Sequence, residues 1–127
     1  MNVVDSSAWL EYFAGGPNTE FFAPAIEDAK RLVVPSICLY EVFKSIFRQE
    51  GKKEALEKTT AMRQGQVVDL TAALSFRAAS LSLKHGLPMA DSIILATART
   101  HSAKLWTQDA DFEGLPEIKY RGKSSKK

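Results

Sequence analysis

The sequence predicts one α/β domain, a three-layer α/β/α sandwich with a central, mostly parallel sheet of four to five strands. Short apolar runs alternate with stretches of helical periodicity, and this alternation is typical of strand–helix–strand units. The chain has 127 residues, of which 45% are hydrophobic, enough for one domain with a substantial core. We expect the domain to occupy residues 1–120 and a basic, flexible tail to follow over residues 121–127.

Short apolar segments between turn residues are predicted to be strands. They occupy residues 1–4, 32–34, 66–70, 104–107 and 117–120. The first of them is expected to be buried, and the last is expected to lie at an edge of the sheet. Together they provide the four or five strands of the predicted sheet.

The segments between the strands carry helical start and stop signals. The predicted helices cover residues 6–13, 18–30, 36–50, 52–64, 71–84 and 88–101, with the third and fourth protruding together as an arm. Asn18, Ser36 and Thr71 are predicted caps, and Pro88 suits a first helical position. These helices separate the first four predicted strands, and a turn-rich loop separates the fourth strand from the fifth.

Aromatic residues at helical spacing predict buried faces. In the third helix the residues expected to face the core are Tyr40, Phe43 and Phe47. In the first helix Trp9, Tyr12 and Phe13 are expected to lie in the core or at a dimer interface rather than to stack on bases. The many aromatics of the first two helices are compatible with an exposed apolar interface.

Composition excludes several classes of protein. The net charge of +2 is too small to indicate nucleic-acid binding by itself, although the tail concentrates Arg121, Lys123, Lys126 and Lys127. Cys38 is the single cysteine, which excludes an internal disulfide and suits a reducing compartment. No apolar run approaches the roughly 18–20 residues of a membrane span, and no secretory signal is visible. We expect a soluble, cytoplasmic protein.

Four carboxylates are predicted to converge at one edge of the sheet, where sites form in parallel α/β folds. Asp5 follows the first strand, Glu41 lies in the helix after the second, and Asp109 follows the fourth. Asp91 joins them if its helix begins at this edge. Taken singly, these acids could be helix caps, dipole charges, an Asx turn or a solvated residue. Gathered together they would repel one another, so their convergence indicates a cation site.

The expected ligands are oxygens without a nearby cysteine or histidine. This donor set favours Mg²⁺, or Mn²⁺ as a substitute, over zinc. His85 and His101 each lie at a predicted helix end and are interpreted as charges that complement the helix dipole, not as a catalytic pair. The sequence therefore predicts metal-assisted rather than histidine-based chemistry.

Four segments resemble the signature segments of PIN-domain ribonucleases, in particular the toxin subunits of VapBC-type toxin–antitoxin pairs. They are VVDSSAWLEYF at 3–13, VPSICLYEV at 34–42, LPMADSIILATA at 87–98 and LWTQDADF at 105–112. The resemblance covers residues 1–120. It implies that Asp5, Glu41, Asp91 and Asp109 bind a divalent metal, with Asp111 a lower-ranked candidate. It also implies that Ser6 and Thr107 orient ligands or waters.

The same resemblance implies an Mg²⁺-dependent endoribonuclease that hydrolyses RNA phosphodiesters and leaves a 5′-phosphate and a 3′-hydroxyl. Asp5 or Asp91 could accept the proton of the attacking water. Arg48, Lys44 and the tail are candidate contacts to the RNA backbone. The implied partners are a second copy of the chain and an antitoxin that blocks the acidic centre.

Two other functions remain open at this stage. One is a non-catalytic module of the same fold that binds RNA or protein. The other is a receiver-type signalling domain, which would need an acidic pair after the first strand and a phosphoacceptor Asp after the third. Here Asp5 stands alone, and Asp69 is followed by LTAALSF, which is typical of a helix entry. The acidic set therefore favours the nuclease.

Overall fold

A computed structural model describes residues 1–123, and within them a parallel five-stranded sheet is flanked by helices. The strands are β1 (Asn2–Val4), β2 (Leu32–Pro35), β3 (Gln66–Val68), β4 (Lys104–Thr107) and β5 (Ile118–Tyr120). The helices are α1 (Ser6–Ala14), α2 (Thr19–Ile26), α3 (Ser36–Glu50), α4 (Lys52–Met62), α5 (Ala72–His85) and α6 (Met89–Thr100). The predicted α/β/α sandwich is confirmed, and β5 is the predicted edge strand.

The sheet has the order β3-β2-β1-β4-β5, so the chain reverses its direction of winding at β1. Val3 pairs with Val33 of β2 on one side and with Leu105 of β4 on the other. All three side chains are fully buried, as expected for a parallel sheet covered on both faces. The crevice between the ends of β1 and β4 is a topological switch point, the usual place for a site in such folds.

Helix α6 lies deepest among the helices of the described chain. Residues 92–98 are buried without interruption, so other elements enclose this part of the helix on all sides. Its second turn packs against α5, where Leu74 and Ala78 meet Ile93 and Ala96. The residue that immediately precedes this buried run is Asp91, so a rigid element holds that carboxylate.

Several helix ends differ from the predictions. Helix α2 ends at Ile26 instead of Lys30, because Pro24 removes a backbone donor from its last turns. A 3-10 turn follows, and Ala29, expected inside, is exposed in it. Asn18 stands at the cap position of α2 but its side chain makes no capping hydrogen bond.

The other predicted caps shift by a residue or stay in place. Ser36 is the first residue of α3, with Pro35 before it, and Pro88 occupies the cap position of α6. Thr71 is confirmed as the cap of α5, where its hydroxyl accepts a hydrogen bond from the Leu74 amide at 3.2 Å. Gly86 ends α5, because it adopts the left-handed φ of 67° that favours glycine.

The prediction that the aromatic stripe of α3 faces the core is wrong for Tyr40 and Phe47, whereas Phe43 is partly buried and packs against the core as predicted. Tyr40 is 59% exposed and Phe47 is 46% exposed, whereas the buried face of α3 consists of Cys38, Val42 and Ile46. With roughly 100° of rotation per residue, the two stripes lie about a third of a turn apart. The aromatic stripe instead lines a groove between α3 and α4, which pack against each other.

The aromatics of the first helix do belong to the core. Trp9 is 2% exposed and stacks on Phe13, with 5.6 Å between the ring centroids. Large exposed apolar side chains lie elsewhere, notably Phe76 and Leu83 on α5 and Met89 at the start of α6. An apolar interface is therefore available on the later helices rather than on the first two.

The beginning of the predicted tail contacts the domain. The Arg121 amide donates to the Thr107 carbonyl at 3.0 Å, and its guanidinium lies 4.5 Å from the centroid of the Phe21 ring. Residues 124–127 of the predicted tail, with Lys126 and Lys127, lie outside the described residues. Within residues 1–123, no helix combines the length and apolar character that crossing a bilayer requires.

Candidate functional site

Asp5 lies at the end of β1, where the chain turns directly into α1. Its Oδ1 accepts hydrogen bonds from the Ala8 amide and the Ser7 hydroxyl, both at 2.9 Å. Its Oδ2 accepts a hydrogen bond of 2.6 Å from the Thr107 hydroxyl. The residue is both the cap of α1 and a member of the acidic group, so the two interpretations of Asp5 are compatible.

Burial dominates the acidity of Asp5. The residue is 3% exposed, and loss of hydration raises its pKa from 3.8 to about 6 despite the hydrogen bonds that favour the charged form. The negative charge of Asp109 raises this pKa further. A positive ion beside Asp5 would favour the charged carboxylate and lower this pKa.

Thr107, the last residue of β4, connects two of the acids. Its fully buried hydroxyl donates to Asp5 and accepts a hydrogen bond of 2.8 Å from the Asp109 amide. These contacts fix the end of β1 relative to the loop after β4. The orienting role that the resemblance implied for this threonine stays a prediction.

Ser6 makes the corresponding connection on the other side. Its hydroxyl donates to Glu41 Oε1 at 2.6 Å, across 35 residues of sequence. Glu41 lies in the second turn of α3, which begins where β2 ends, and it is partly buried. The serine thus links the start of α1 to α3 and orients the Glu41 carboxylate.

Asp91, Asp109 and Asp111 form the tightest group of acids. Each offers a carboxylate oxygen, and these oxygens lie within 4.8 Å of one another. Burial, the charge of Asp109 and a hydrogen bond shared with it raise the pKa of Asp91 from 3.8 to about 8. Asp109 Oδ1 also accepts the Asp111 amide at 2.9 Å, the Asx-type turn foreseen for this loop. Asp111, the lower-ranked candidate, belongs to this group, but it is exposed and does not line the acidic cavity.

A cavity of about 250 Å³ unites the four predicted acids. It is lined by Asp5, Ser6, Ser7, Leu10, Glu41, Asp91, Ile94 and Asp109. Helix α6 begins at the carboxyl edge of the sheet, the condition on which the placement of Asp91 depended. The structure therefore brings the predicted acids together, while their chemical role stays a prediction.

The donors around this cavity fit a hard divalent cation. They are carboxylate oxygens, and a cation would offset the charge that disfavours ionisation of Asp91. Burial raises the pKa of the Cys38 thiol well above its usual range, and the charges of the nearby Asp5, Glu41 and Asp91 add to this effect. Its thiol is fully buried and contacts the Val4 carbonyl, so it is held protonated and away from the cavity.

Lys44 and Arg48, the predicted RNA contacts, are not among the residues of the acidic cavity. Both line the groove between α3 and α4, where Lys44 Nζ lies 5.6 Å from the centroid of the Tyr40 ring. Their predicted contact with RNA stays a prediction. This placement puts them beside the exposed aromatic stripe instead of the carboxylates.

Sequence reasoning missed the buried pair Asn18 and Gln108. Asn18 Nδ2 donates to Gln108 Oε1 at 3.0 Å and to the Gly122 carbonyl at 2.9 Å. These bonds join the start of α2, the loop that carries Asp109 and the segment after β5. No local signal could have shown them, because the partners of Asn18 are 90 and 104 residues away.

We expect the metal-free protein to lose stability as the pH rises from about 5 to 8. The pKa values of about 6 for Asp5 and about 8 for Asp91 exceed the unfolded value of 3.8, so the folded chain retains protons that the unfolded chain has released. This stabilisation is complete below the unfolded pKa and is lost as the pH passes the two folded values. Thermal unfolding in EDTA at pH 5.5 and pH 8 measures it. Asp91→Asn should reduce the decline above pH 6, and an unchanged decline would contradict the explanation.

The fold and cavity define the class of protein: a parallel α/β domain with a carboxylate-lined cavity at its topological switch point. The model of the PIN domain family matches residues 3–118. The chain belongs to the PIN domain family. No curated protein sequence matches the chain.

Solved structures share this fold. A toxin–antitoxin complex from Klebsiella pneumoniae is 21% identical, with a TM-score of 0.79 over 93% of this chain and 95% of that one. Mycobacterium tuberculosis VapC20, a sarcin–ricin loop cleaving toxin, is 19% identical, with a TM-score of 0.77 over 94% and 98%. DNA-bound VapBC from Salmonella typhimurium is 16% identical, with a TM-score of 0.73 over 96% and 98%. At these identities the likeness is one of fold.

Proposed function

We propose that this protein is an Mg²⁺-dependent endoribonuclease and the toxin of a type II toxin–antitoxin pair. The observation that carries the proposal is the cavity in which Asp5, Glu41, Asp91 and Asp109 meet. The likeness to VapC20, a toxin that cleaves the sarcin–ricin loop, supports RNA as the substrate. A cytoplasmic location, where RNA is available, is part of the proposal.

The residues that would hold the cation are Asp91, Asp109 and Asp111, whose oxygens already lie within 4.8 Å of one another. Asp5 and Glu41 would complete its surroundings from the other wall of the cavity. A bound divalent cation supplies positive charge that offsets these acids and polarises the phosphodiester. Mn²⁺ offers the same preference for oxygen ligands and should substitute for Mg²⁺.

Hydrolysis also needs a base that takes the proton of the attacking water. Asp5 is less suited to that task, because its two oxygens already accept three hydrogen bonds and it is 3% exposed. Asp91 is partly exposed at the cavity. We assign the proton to an Asp91 oxygen. The water oxygen bonds to phosphorus as the bond to the 3′-oxygen breaks, and the 3′-oxygen takes up a proton from solvent, so the products carry a 5′-phosphate and a 3′-hydroxyl.

The proposed partners are an antitoxin and a second copy of the chain. Four of the similar structures are toxin–antitoxin complexes. Phe76 and Leu83 are 74% and 89% exposed, and their spacing of seven residues puts them on one face of α5. Large apolar side chains grouped on one face are typical of surfaces that a partner covers.

Incubation of the purified protein with RNA, in Mg²⁺ or in EDTA, tests the activity. We expect fragments in Mg²⁺ and in Mn²⁺, intact RNA in EDTA, and recovery of cleavage when Mg²⁺ is returned in excess. Ligation of an adaptor to the new ends should report a 5′-phosphate. Cleavage that persists in EDTA would contradict the metal assignment. Binding of RNA without cleavage in Mg²⁺ would favour the non-catalytic module.

A further inference from the structure

A second groove adjoins the acidic cavity and shares Ser7 and Leu10 with it. It lies between α1 and α3 and has a volume of about 300 Å³, at the lower end of the range for small-ligand pockets. The residues that matter for its chemistry are Phe13, Ser45, Gln49, Gln108 and Lys123. A polymer held at the carboxylates can therefore continue directly into this groove.

We propose that this groove binds the nucleotide next to the cleaved phosphodiester and contributes to the choice of RNA sequence. The proposal rests on the ribonuclease function proposed above. An extended RNA strand must place a neighbouring sugar and base beyond the cavity. The groove is contiguous with the cavity, so the strand can enter it without a change in the protein.

The groove offers neutral hydrogen-bonding groups beside an apolar wall. Ser45 and Gln49 lie one turn apart on α3 and contribute a hydroxyl and an amide. Phe13 and Leu10 of α1 contribute apolar surface. Amides pair with base edges, hydroxyls with the ribose, and apolar or aromatic walls with the face of a base. Single-stranded RNA is read through this combination.

Gln108 is the best-oriented of these groups. It is 7% exposed, and its Oε1 accepts a hydrogen bond of 3.0 Å from Asn18 Nδ2. Within residues 1–123 its NH₂ group makes no hydrogen bond. A buried amide whose oxygen is already paired presents a donor, so Gln108 favours a base or sugar oxygen as its partner.

The groove carries charges of both signs, Glu11 and Glu50 with Lys123. Glu11 accepts a hydrogen bond of 2.7 Å from the backbone amide of Asn18, and Glu50 Oε1 lies 3.6 Å from Lys58 Nζ. Both acids of the groove therefore have partners. Lys123 adds a positive charge. It follows Gly122, whose carbonyl accepts a hydrogen bond from Asn18 Nδ2. The first part of the basic tail is thereby positioned where it can contact the RNA backbone.

The test compares groove variants with matched controls. Ser45→Leu would fill the groove, and Thr60→Leu is its control on the exposed side of α4, away from the groove. Lys123→Ala removes the positive charge, and Lys119→Ala is its control on β5. Each is made in an Asp91→Asn background to suppress cleavage. Fluorescence anisotropy with a labelled single-stranded RNA of mixed sequence then reports binding over a range of salt concentrations.

We expect Ser45→Leu to weaken RNA binding about tenfold. Lys123→Ala should weaken it less and lower the slope of log affinity against log salt by about 0.7, the value for one phosphate on a single strand. Both controls should bind like the parent. Circular dichroism confirms folding, and Gln49→Ala replaces Ser45→Leu if the latter unfolds. RNA binding by the groove variants that equals that of their controls would overturn the proposal.

Cleavage by the same variants without the Asp91 change separates the two proposals. We expect Ser45→Leu to raise KM for RNA more than it lowers kcat, and to alter the preferred cut sites. One outcome is that the wild type cleaves RNA in Mg²⁺ while Ser45→Leu leaves KM, the cut sites and RNA binding unchanged. This outcome would reject the groove and retain the nuclease. No cleavage by the wild type, with binding that still depends on Ser45 and Lys123, would reject the nuclease and retain an RNA-binding groove.

Discussion

Replacing Asp91 with asparagine is expected to lower the rate of RNA cleavage by about a thousandfold or more, equivalent to about 4 kcal/mol of transition-state stabilisation. The change removes one of the three closest cation ligands and the proposed proton acceptor at once. It alters neither the size of the side chain nor the packing of residues 92–98 behind it. Initial rates on a defined RNA in Mg²⁺ measure the loss.

The same variant should be folded and, without metal at pH 8, more stable than the wild type. An amide lacks the charge that burial and the neighbouring acids disfavour at Asp91. Asp28→Asn, an exposed acid 4.0 Å from Arg31, is the matched control and should change neither property. In cells, expression without an antitoxin should arrest growth for the wild type and not for Asp91→Asn. Wild-type cleavage by the Asp91 variant would remove the basis of the catalytic assignment.

The strands and the acids at their ends could be predicted because the signals are local. A short apolar run followed directly by an acid, as at Val4 and Asp5, indicates both a strand and the edge at which it ends. Parallel topology then brings Asp5 and Asp109 to neighbouring positions. Asp91 was harder to place, because its position depends on where α6 begins. The periodicity of a helix does not show which edge of the sheet its first turn lies at.

What the sequence could not provide depends on distant contacts. The periodicity of α3 shows two apolar stripes but not which one meets the sheet, and the less aromatic stripe with Val42 proved to be buried. Asn18 has the residue type of a helix cap, yet its amide bonds to Gln108 instead. In both cases contacts with other elements decided the outcome: which stripe of α3 is buried, and which partner the Asn18 side chain takes.

Asp5 permits a sharper test, because it is a cap and a candidate ligand at the same time. Asp5→Asn keeps an oxygen that can accept from the Ala8 amide, and its NH₂ group can donate to the Thr107 hydroxyl in place of accepting from it. Asparagine is also among the best capping residues. Asp5→Ala removes the cap and leaves the fully buried Thr107 hydroxyl without its acceptor. We expect alanine to lower the free energy of unfolding by about 2–4 kcal/mol, and asparagine to change it by less than about 1 kcal/mol.

Both Asp5 variants should nevertheless lose cleavage by at least about a hundredfold, because each removes the carboxylate charge from the cavity. Urea unfolding in EDTA and cleavage rates in Mg²⁺, measured on the same preparations, separate the two roles. A stable Asp5→Asn variant that cleaves normally would show that Asp5 serves the fold alone. Equal destabilisation by asparagine and alanine would instead show that the charged form, rather than the capping oxygen, supports α1. If Asp5 is both the cap of α1 and part of the active site, both variants should lose cleavage, and the alanine variant alone should lose stability.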